Sequence, residues 1–326
     1  MNVVFVTDRV DAHVERFHSL FSTVTHSYSH ITVTYDTAGE PVMSLDGSRY
    51  QGWEAIRRAL EAMSSLVISG PLDTVSAGLA EGNYRHIGIS WATDVMVTAA
   101  ASGDAWEALS STLRTLDMVV SDNYPTENAC IAMGVLPKRI LRIPWGPAPD
   151  LGGPTGGRED FGLPEARSII LYPRSLEPHY QPDVFVEALG IVARAHPAAL
   201  AVLVETGSLV EEVRAQVARL GLEDSLSWQP PRSAEQFRGL LALADVLVVS
   251  PKTDGTSVTV MDAMSMGVPV VSSLTSGSAE WIMDGITGWS FPVGDSDALA
   301  KAILSALNCD PQRRHKITGA ASNLVA

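Results

Sequence analysis

Positive charge is scarce in this chain, and so are cysteine, aromatic residues and long apolar runs. Its 23 Lys and Arg stand against 37 Asp and Glu, a formal charge of −14. The deficit is shared, with 17 acidic and 10 basic side chains in residues 1–150 and 20 and 13 in 151–326. Neither half offers a basic surface for a phosphate backbone, so no nucleic-acid partner is expected. Two cysteines, Cys130 and Cys309, provide neither a disulfide framework nor metal-ligand spacing. No apolar run reaches the roughly 18 residues of a membrane-spanning helix. The start, MNVVFVTDRVD, is charged by its eighth residue and reads as a first strand, not a signal peptide. These absences together predict a cytoplasmic protein. Residues 53–66 set Arg57 and Arg58 beside Trp53, Ile56, Leu60 and Met63, a helix face for a membrane or for packing on a sheet. One arginine pair in an acidic chain favours packing, and no membrane association is expected.

What remains is an ordinary globular composition, 46 % apolar and 18 % charged, in 326 residues, enough for two domains with separate cores. Strand-like and helical runs alternate from end to end, the rhythm of an α/β protein. In the first half the strand-like runs lie at 3–6, 31–35, 66–69, 86–91, 118–121 and 140–145, and the helical runs near 11–22, 52–64, 74–81, 103–115 and 126–134. In the second half the strand-like runs lie at 168–173, 200–205, 226–230, 246–251 and 269–273. Helical runs there fall near 182–196, 208–220, 233–243, 256–266, 279–284 and 295–308. Between the halves, GPAPDLGGPTGGREDFG is rich in Gly and Pro, a linker composition. The reading is two doubly wound, Rossmann-like domains, 1–146 and 167–326, joined by a linker over 147–166.

Residues 250–273, SPKTDGTSVTVMDAMSMGVPVVSS, carry the strongest chemical signal. Asp254 follows the apolar strand VLVVSP, so it lies beyond a strand's carboxyl end, where ligands bind in open α/β sheets. Asp262 comes eight residues later, inside a helical run expected to begin near Thr256. Gly255, Thr256, Ser257 and Val258 would offer free backbone N–H groups at the helix start, suited to an anion or a hydroxyl. Carboxylates accept hydrogen bonds from vicinal sugar hydroxyls. The pattern suits a nucleotide-sugar; the spacing alone equally fits a turn acid and a solvated helix acid.

Downstream, Asp262-Ala-Met and Gly267-Val-Pro-Val-Val are followed by Glu280-Trp-Ile and by Gly285-Ile-Thr-Gly288. In order and spacing this resembles the donor-binding half of the retaining family 4 (group 1) glycosyltransferases, with their two-domain GT-B fold. Asp254 and Asp262 fall on that family's paired glutamates, and Glu280 on its later acid. The resemblance is specific over about the last 160 residues and topological before them. It implies two Rossmann-like domains facing a cleft, with the acceptor on the first and the nucleotide-sugar donor on the second. It also implies a metal-independent retaining transfer, with no cofactor beyond the nucleoside-diphosphate sugar as co-substrate. Asp254 would hold sugar hydroxyls, Asp262 the ribose and Arg174 the diphosphate. The segment Arg174-Ser-Leu-Glu-Pro-His-Tyr resembles an Arg-x-Leu-x-Pro-x-Tyr subgroup, yet no lysine follows Arg174 and His179 stands near its place.

Further candidates sit at strand ends. Arg174 can grip a diphosphate or pair with Glu177. His179 can supply a hydrogen bond or be a plain loop histidine. Gly207 and Gln229 end the next two strands, with Gln229-Pro-Pro the region for the base. In the first half, Asp94, in Trp91-Ala-Thr-Asp94, can hold a donor or acceptor hydroxyl or cap the following segment. Ser121-Asp122-Asn123 and Pro144-Trp145-Gly146 resemble cleft-shaping steps of the family. The loop after the first strand lacks the family's glycines; Arg9 or His13 could reach the cleft instead, or Asp11 cap a helix with His13 on its face, and His86 begins its strand at the wrong end. The acceptor is expected to be a small molecule or a glycan. Two other readings are a catalytically inactive, transferase-like subunit that binds a nucleotide or glycan, and a sugar-nucleotide epimerase of the same fold.

Overall fold

The computed structural model describes residues 2–8, 17, 21, 27–45, 47–64, 66–147 and 156–326. The chain divides into two compact units, Met1–Pro144 and Trp145–Ala326.

The first unit holds an eight-stranded sheet: β1 (Val3–Thr7), β2 (Tyr28–Tyr35), β3 (Pro41–Leu45), β4 (Ser48–Gln51), β5 (Leu66–Ser69), β6 (Arg85–Ile89), β7 (Met118–Ser121) and β8 (Ile140–Arg142). Its order is β4-β3-β2-β1-β5-β6-β7-β8. Every residue of β1 is buried, as an apolar central strand covered on both faces must be. The strands from β2 to β8 pair parallel through β1, whereas β2, β3 and β4 form an antiparallel extension. The helix Trp53–Met63 buries Ile56 and Leu60 in the core, and the Arg57 guanidinium donates to the Gly78 carbonyl. Trp53 fills the space where a Cβ on Gly78 would stand, so the apolar side of this helix is used in packing.

The second unit is a six-stranded, fully parallel sheet: β9 (Ser168–Tyr172), β10 (Ala199–Val204), β11 (Leu226–Gln229), β12 (Val246–Val249), β13 (Val270–Ser273) and β14 (Trp289–Phe291). The order is β11-β10-β9-β12-β13-β14. Apolar clusters cover both faces, one under the helices Pro182–Ala195 and Ser296–Leu307, the other under Ala234–Ala242 and Val258–Ser265. The chain runs outward from β9 to β11 and then returns to place β12 on the other side of β9. The strand order therefore reverses between β9 and β12, the position at which open α/β sheets bind ligands.

Several expectations need correction. The hairpin β3–β4 was not foreseen, nor was the helix Thr93–Ala101, whose TDVMVTAAA is rich in β-branched residues. The expected linker is shorter on its second side: Phe161 and Leu163 are buried in the second unit's core. The C-terminal helix, Pro311–Val325, packs within the second unit, with Ile317 and Ala321 buried. The helix expected near 11–22, together with Arg9 and His13, and the linker residues 148–155 lie wholly or mostly outside the described residues. Among the described residues no helix is long and apolar enough to cross a membrane.

Candidate functional site

Because β9 and β12 are parallel neighbours, the loops after them leave the sheet side by side. The first carries Arg174, two residues past Tyr172; the second carries Asp254. They meet: Arg174 Nη2 donates to Asp254 Oδ2 at 2.5 Å and to Ser257 Oγ at 2.6 Å. Both members of the pair are largely buried, with 16 % and 14 % of their side chains exposed. The alternative partner, Glu177, is taken by the backbone N–H and hydroxyl of Ser208. Ser257 is also the N-cap of the helix Val258–Ser265 and accepts from the Val260 N–H, so one hydroxyl links the cation to a helix start. The helix begins two residues later than Thr256, which puts Asp262 in its fifth position, half-buried. Gly255, Thr256 and Ser257 form the buried turn before it, and the Gly255 N–H donates to Asp254 Oδ1.

The segment after Arg174 is laced to the end of β12. Ser250 Oγ and Tyr172 Oη both donate to the Tyr180 carbonyl, at 2.8 and 2.6 Å. The Lys252 N–H donates to the His179 carbonyl at 2.9 Å. The Arg174 guanidinium lies 4.9 Å from the centre of the Tyr180 ring. Three buried polar atoms in this knot, Arg174 Nε, His179 Nε2 and Gln181 Oε1, have no hydrogen-bond partner among the described residues. Buried polar groups are nearly always satisfied, so several orphans in one place set this knot apart from an ordinary core. Burial lowers the His179 pKa, against the pull of Asp254 and a hydrogen bond from the ring to the Thr253 backbone. The imidazole is therefore neutral near pH 7.

A third loop closes on the same point. A Cβ on Gly277 would lie 2.2 Å from the Asp254 carbonyl oxygen and 2.6 Å from that of Gly255. Only glycine lets the chain after β13 approach the acid loop this closely. Ser273 Oγ donates to the Pro251 carbonyl, and Ser278 Oγ to the Ser273 carbonyl, which fixes the turn that carries Glu280. Gly277 lies three residues before Glu280, and only the folded loops show why a glycine stands there.

The other candidates separate from this cluster by role. Gly207, at φ 118°, brings its backbone against Leu176, where a Cβ would stand 2.5 Å from backbone atoms; it supports the Arg174 loop from behind. The Gln229 side chain is buried and engaged, donating to the Phe161 carbonyl and accepting from Arg232. In the first unit, Asp94 accepts four hydrogen bonds, from the N–H groups of Leu72, Trp91 and Val95 and from Ser90 Oγ. Four donors fill a carboxylate's usual positions, so Asp94 is a clamp between two loops, with none left for a substrate. Burial raises its carboxyl pKa in spite of these bonds. Asp94 also touches a cavity of about 410 Å³ lined by Leu72, Thr74, Ala77, Thr98 and Leu109, which the sequence did not announce. Among the described residues no group of three or more His, Cys, Asp or Glu is arranged to hold a metal ion.

Two Rossmann-like α/β units in one chain are the architecture of the GT-B fold, which the structural neighbours below share. Residues 157–323 match the family described as glycosyl transferases group 1, and the chain belongs to that family. Among curated relatives, it is 28 % identical over 173 residues to a GDP-mannose-dependent alpha-(1-6)-phosphatidylinositol monomannoside mannosyltransferase of Mycolicibacterium smegmatis, covering 51 % of this chain and 45 % of the relative. It is 24 % identical over 244 residues to a D-inositol 3-phosphate glycosyltransferase of Streptomyces griseus, covering 70 % and 51 %. The chain thus spans about half the length of the curated relatives it matches. Among solved structures, Anabaena HepE in complex with UDP-glucose superposes with a TM-score of 0.78 at 17 % identity, over 99 % of this chain and 94 % of that one. Sucrose-phosphate synthase from Thermosynechococcus elongatus gives 0.78 at 18 %, over 100 % and 94 %. These likenesses establish the fold.

Proposed function

We propose that the chain is a retaining, metal-independent glycosyltransferase of family 4, in its Arg-x-Leu-x-Pro-x-Tyr subgroup. It would transfer a sugar from a nucleoside-diphosphate sugar to a hydroxyl of a small molecule or glycan. The observation that carries this reading is the Arg174–Asp254–Ser257 cluster at the β9/β12 reversal. Arg174 would hold the diphosphate, and the N–H groups at the start of the helix Val258–Ser265 would assist. Asp254 would hold sugar hydroxyls and Asp262 the ribose. The acceptor would attack from the face the diphosphate leaves, with a phosphate oxygen taking its proton. The protein's part is then position and charge, which can lower a barrier substantially. The relatives' printed names, a GDP-mannose-dependent transferase among them, and the UDP-glucose bound by the Anabaena protein support a nucleotide-sugar donor.

Thermal-shift measurements with UDP, GDP, ADP and dTDP test the donor site; one of the four should stabilise clearly, and four flat curves would remove the proposal. Asp262→Ala should weaken nucleotide binding, while Asp254→Ala should impair transfer without weakening nucleotide binding. Transfer that persists in excess EDTA supports the metal-independent scheme, and loss restored by a divalent cation refutes it. Nucleotide binding without transfer or donor hydrolysis would instead indicate a binding subunit.

A further inference from the structure

At the end of β12 the positive charges do not reach what a diphosphate needs. Arg174 is held by Asp254, and the two charges cancel. Burial disfavours a charge on His179. Thr256 and Ser257 bring polarity without charge. The one further cation that the loop carries is Lys252, two residues before Asp254. Its backbone N–H is tied to the His179 carbonyl at 2.9 Å, which fixes this residue against the Arg174–Tyr180 segment. The residue is exposed, and among the described residues its ammonium has no carboxylate within ion-pair distance. Its charge is felt at His179, where it opposes protonation of the ring.

We propose that Lys252 supplies the uncompensated positive charge for the donor's diphosphate, and so sets the preference for a nucleoside diphosphate over a nucleoside or monophosphate. This rests on the donor-site reading above. An ammonium on a flexible stem acts as a point charge and can follow the terminal phosphate, adding charge to the hydrogen bonds that Arg174 would give. The role is one of binding and positioning; no bond to Lys252 forms or breaks.

Calorimetric titration of the whole chain tests it, with wild type, Lys252→Met and Lys252→Arg against the nucleoside diphosphate that stabilises best, its monophosphate and its nucleoside. Loss of one charge-assisted contact predicts a roughly ten- to hundredfold weaker diphosphate affinity in Lys252→Met. Nucleoside affinity should stay unchanged, and Lys252→Arg should recover most of the diphosphate affinity. The diphosphate-to-nucleoside affinity ratio in wild type should also fall more steeply with salt than in Lys252→Met. Wild-type diphosphate affinity in Lys252→Met overturns the proposal, and so does an equal loss for nucleoside and diphosphate, which would mean a structural role. If wild type binds none of the diphosphates, the donor-site reading itself falls and takes this inference with it.

Discussion

His86 is a histidine removed from chemistry by its surroundings. It is 4 % exposed in β6, with Nε2 2.8 Å from Ser69 Oγ, which in turn meets Ser76 Oγ at 2.8 Å. Burial lowers its pKa to about 4, only partly opposed by Asp117. The unfolded chain therefore binds a proton below about pH 6.5 that the folded chain refuses until about pH 4. Stability contributed by the neutral ring is full above the first value and is lost as pH falls toward the second, up to roughly 3 kcal/mol. Urea unfolding of wild type should show a lower midpoint at pH 5 than at pH 7.5. In His86→Asn that difference should shrink; an unchanged pH dependence would exclude His86 as its source. Its position at the amino end of a strand was legible in the sequence, but its proton was not, because burial depends on residues distant in sequence. The hydrogen bonds of Asp94 were hidden for a similar reason. Three of its four donors are backbone N–H groups, and side-chain identities do not report them.

At the scale of elements, the β12 loop depends on its neighbour after β13. Gly277→Ala would place a Cβ against two backbone carbonyls, and backbone, unlike a side-chain tip, has nowhere to swing. We expect a loss of about 1–3 kcal/mol in stability, as for other overpacked sites. Transfer should fall further than stability alone explains, because Asp254 moves with its carbonyl. Far-UV circular dichroism and activity on one preparation check this, and full activity in a stably folded variant would show that the contact is not needed. The parallel strands of the second unit fall close to where their apolar runs placed them, since a strand buried on both faces has a continuous signature. β3 and β4 carry no such run. Their signal was the turn dipeptide Asp46-Gly47, with Gly47 at φ 78°, and it was passed over. The motif residues located Arg174 and Asp254 at strand ends, but their meeting depends on strand order, which spacing along the chain does not encode.

For the molecule as a whole, each unit has its own sheet and core, and the residues proposed to grip the donor belong to the second. A ligand present at about 100 times its dissociation constant adds about 2.7 kcal/mol to the opening of whatever folds with its site. Hydrogen exchange with a saturating nucleoside diphosphate should therefore slow most in peptides from β9, β12 and the helix Val258–Ser265. Protection confined to residues 1–144 would place the nucleotide on the wrong unit. The cavity beside Asp94 belongs to the first unit, and its lining is chiefly apolar.

The Arg174–Asp254 contact has one more consequence. An anion arriving at this site meets a guanidinium that already has a resident competitor. Small monovalent ions, which bring only their charge, have little with which to displace or share with a tethered carboxylate. A ligand anchored elsewhere on the same unit, through a base or a ribose, gains local concentration and can. The pair thus acts as a threshold on what is recognised, with the protein's own acid as the standard each guest must exceed.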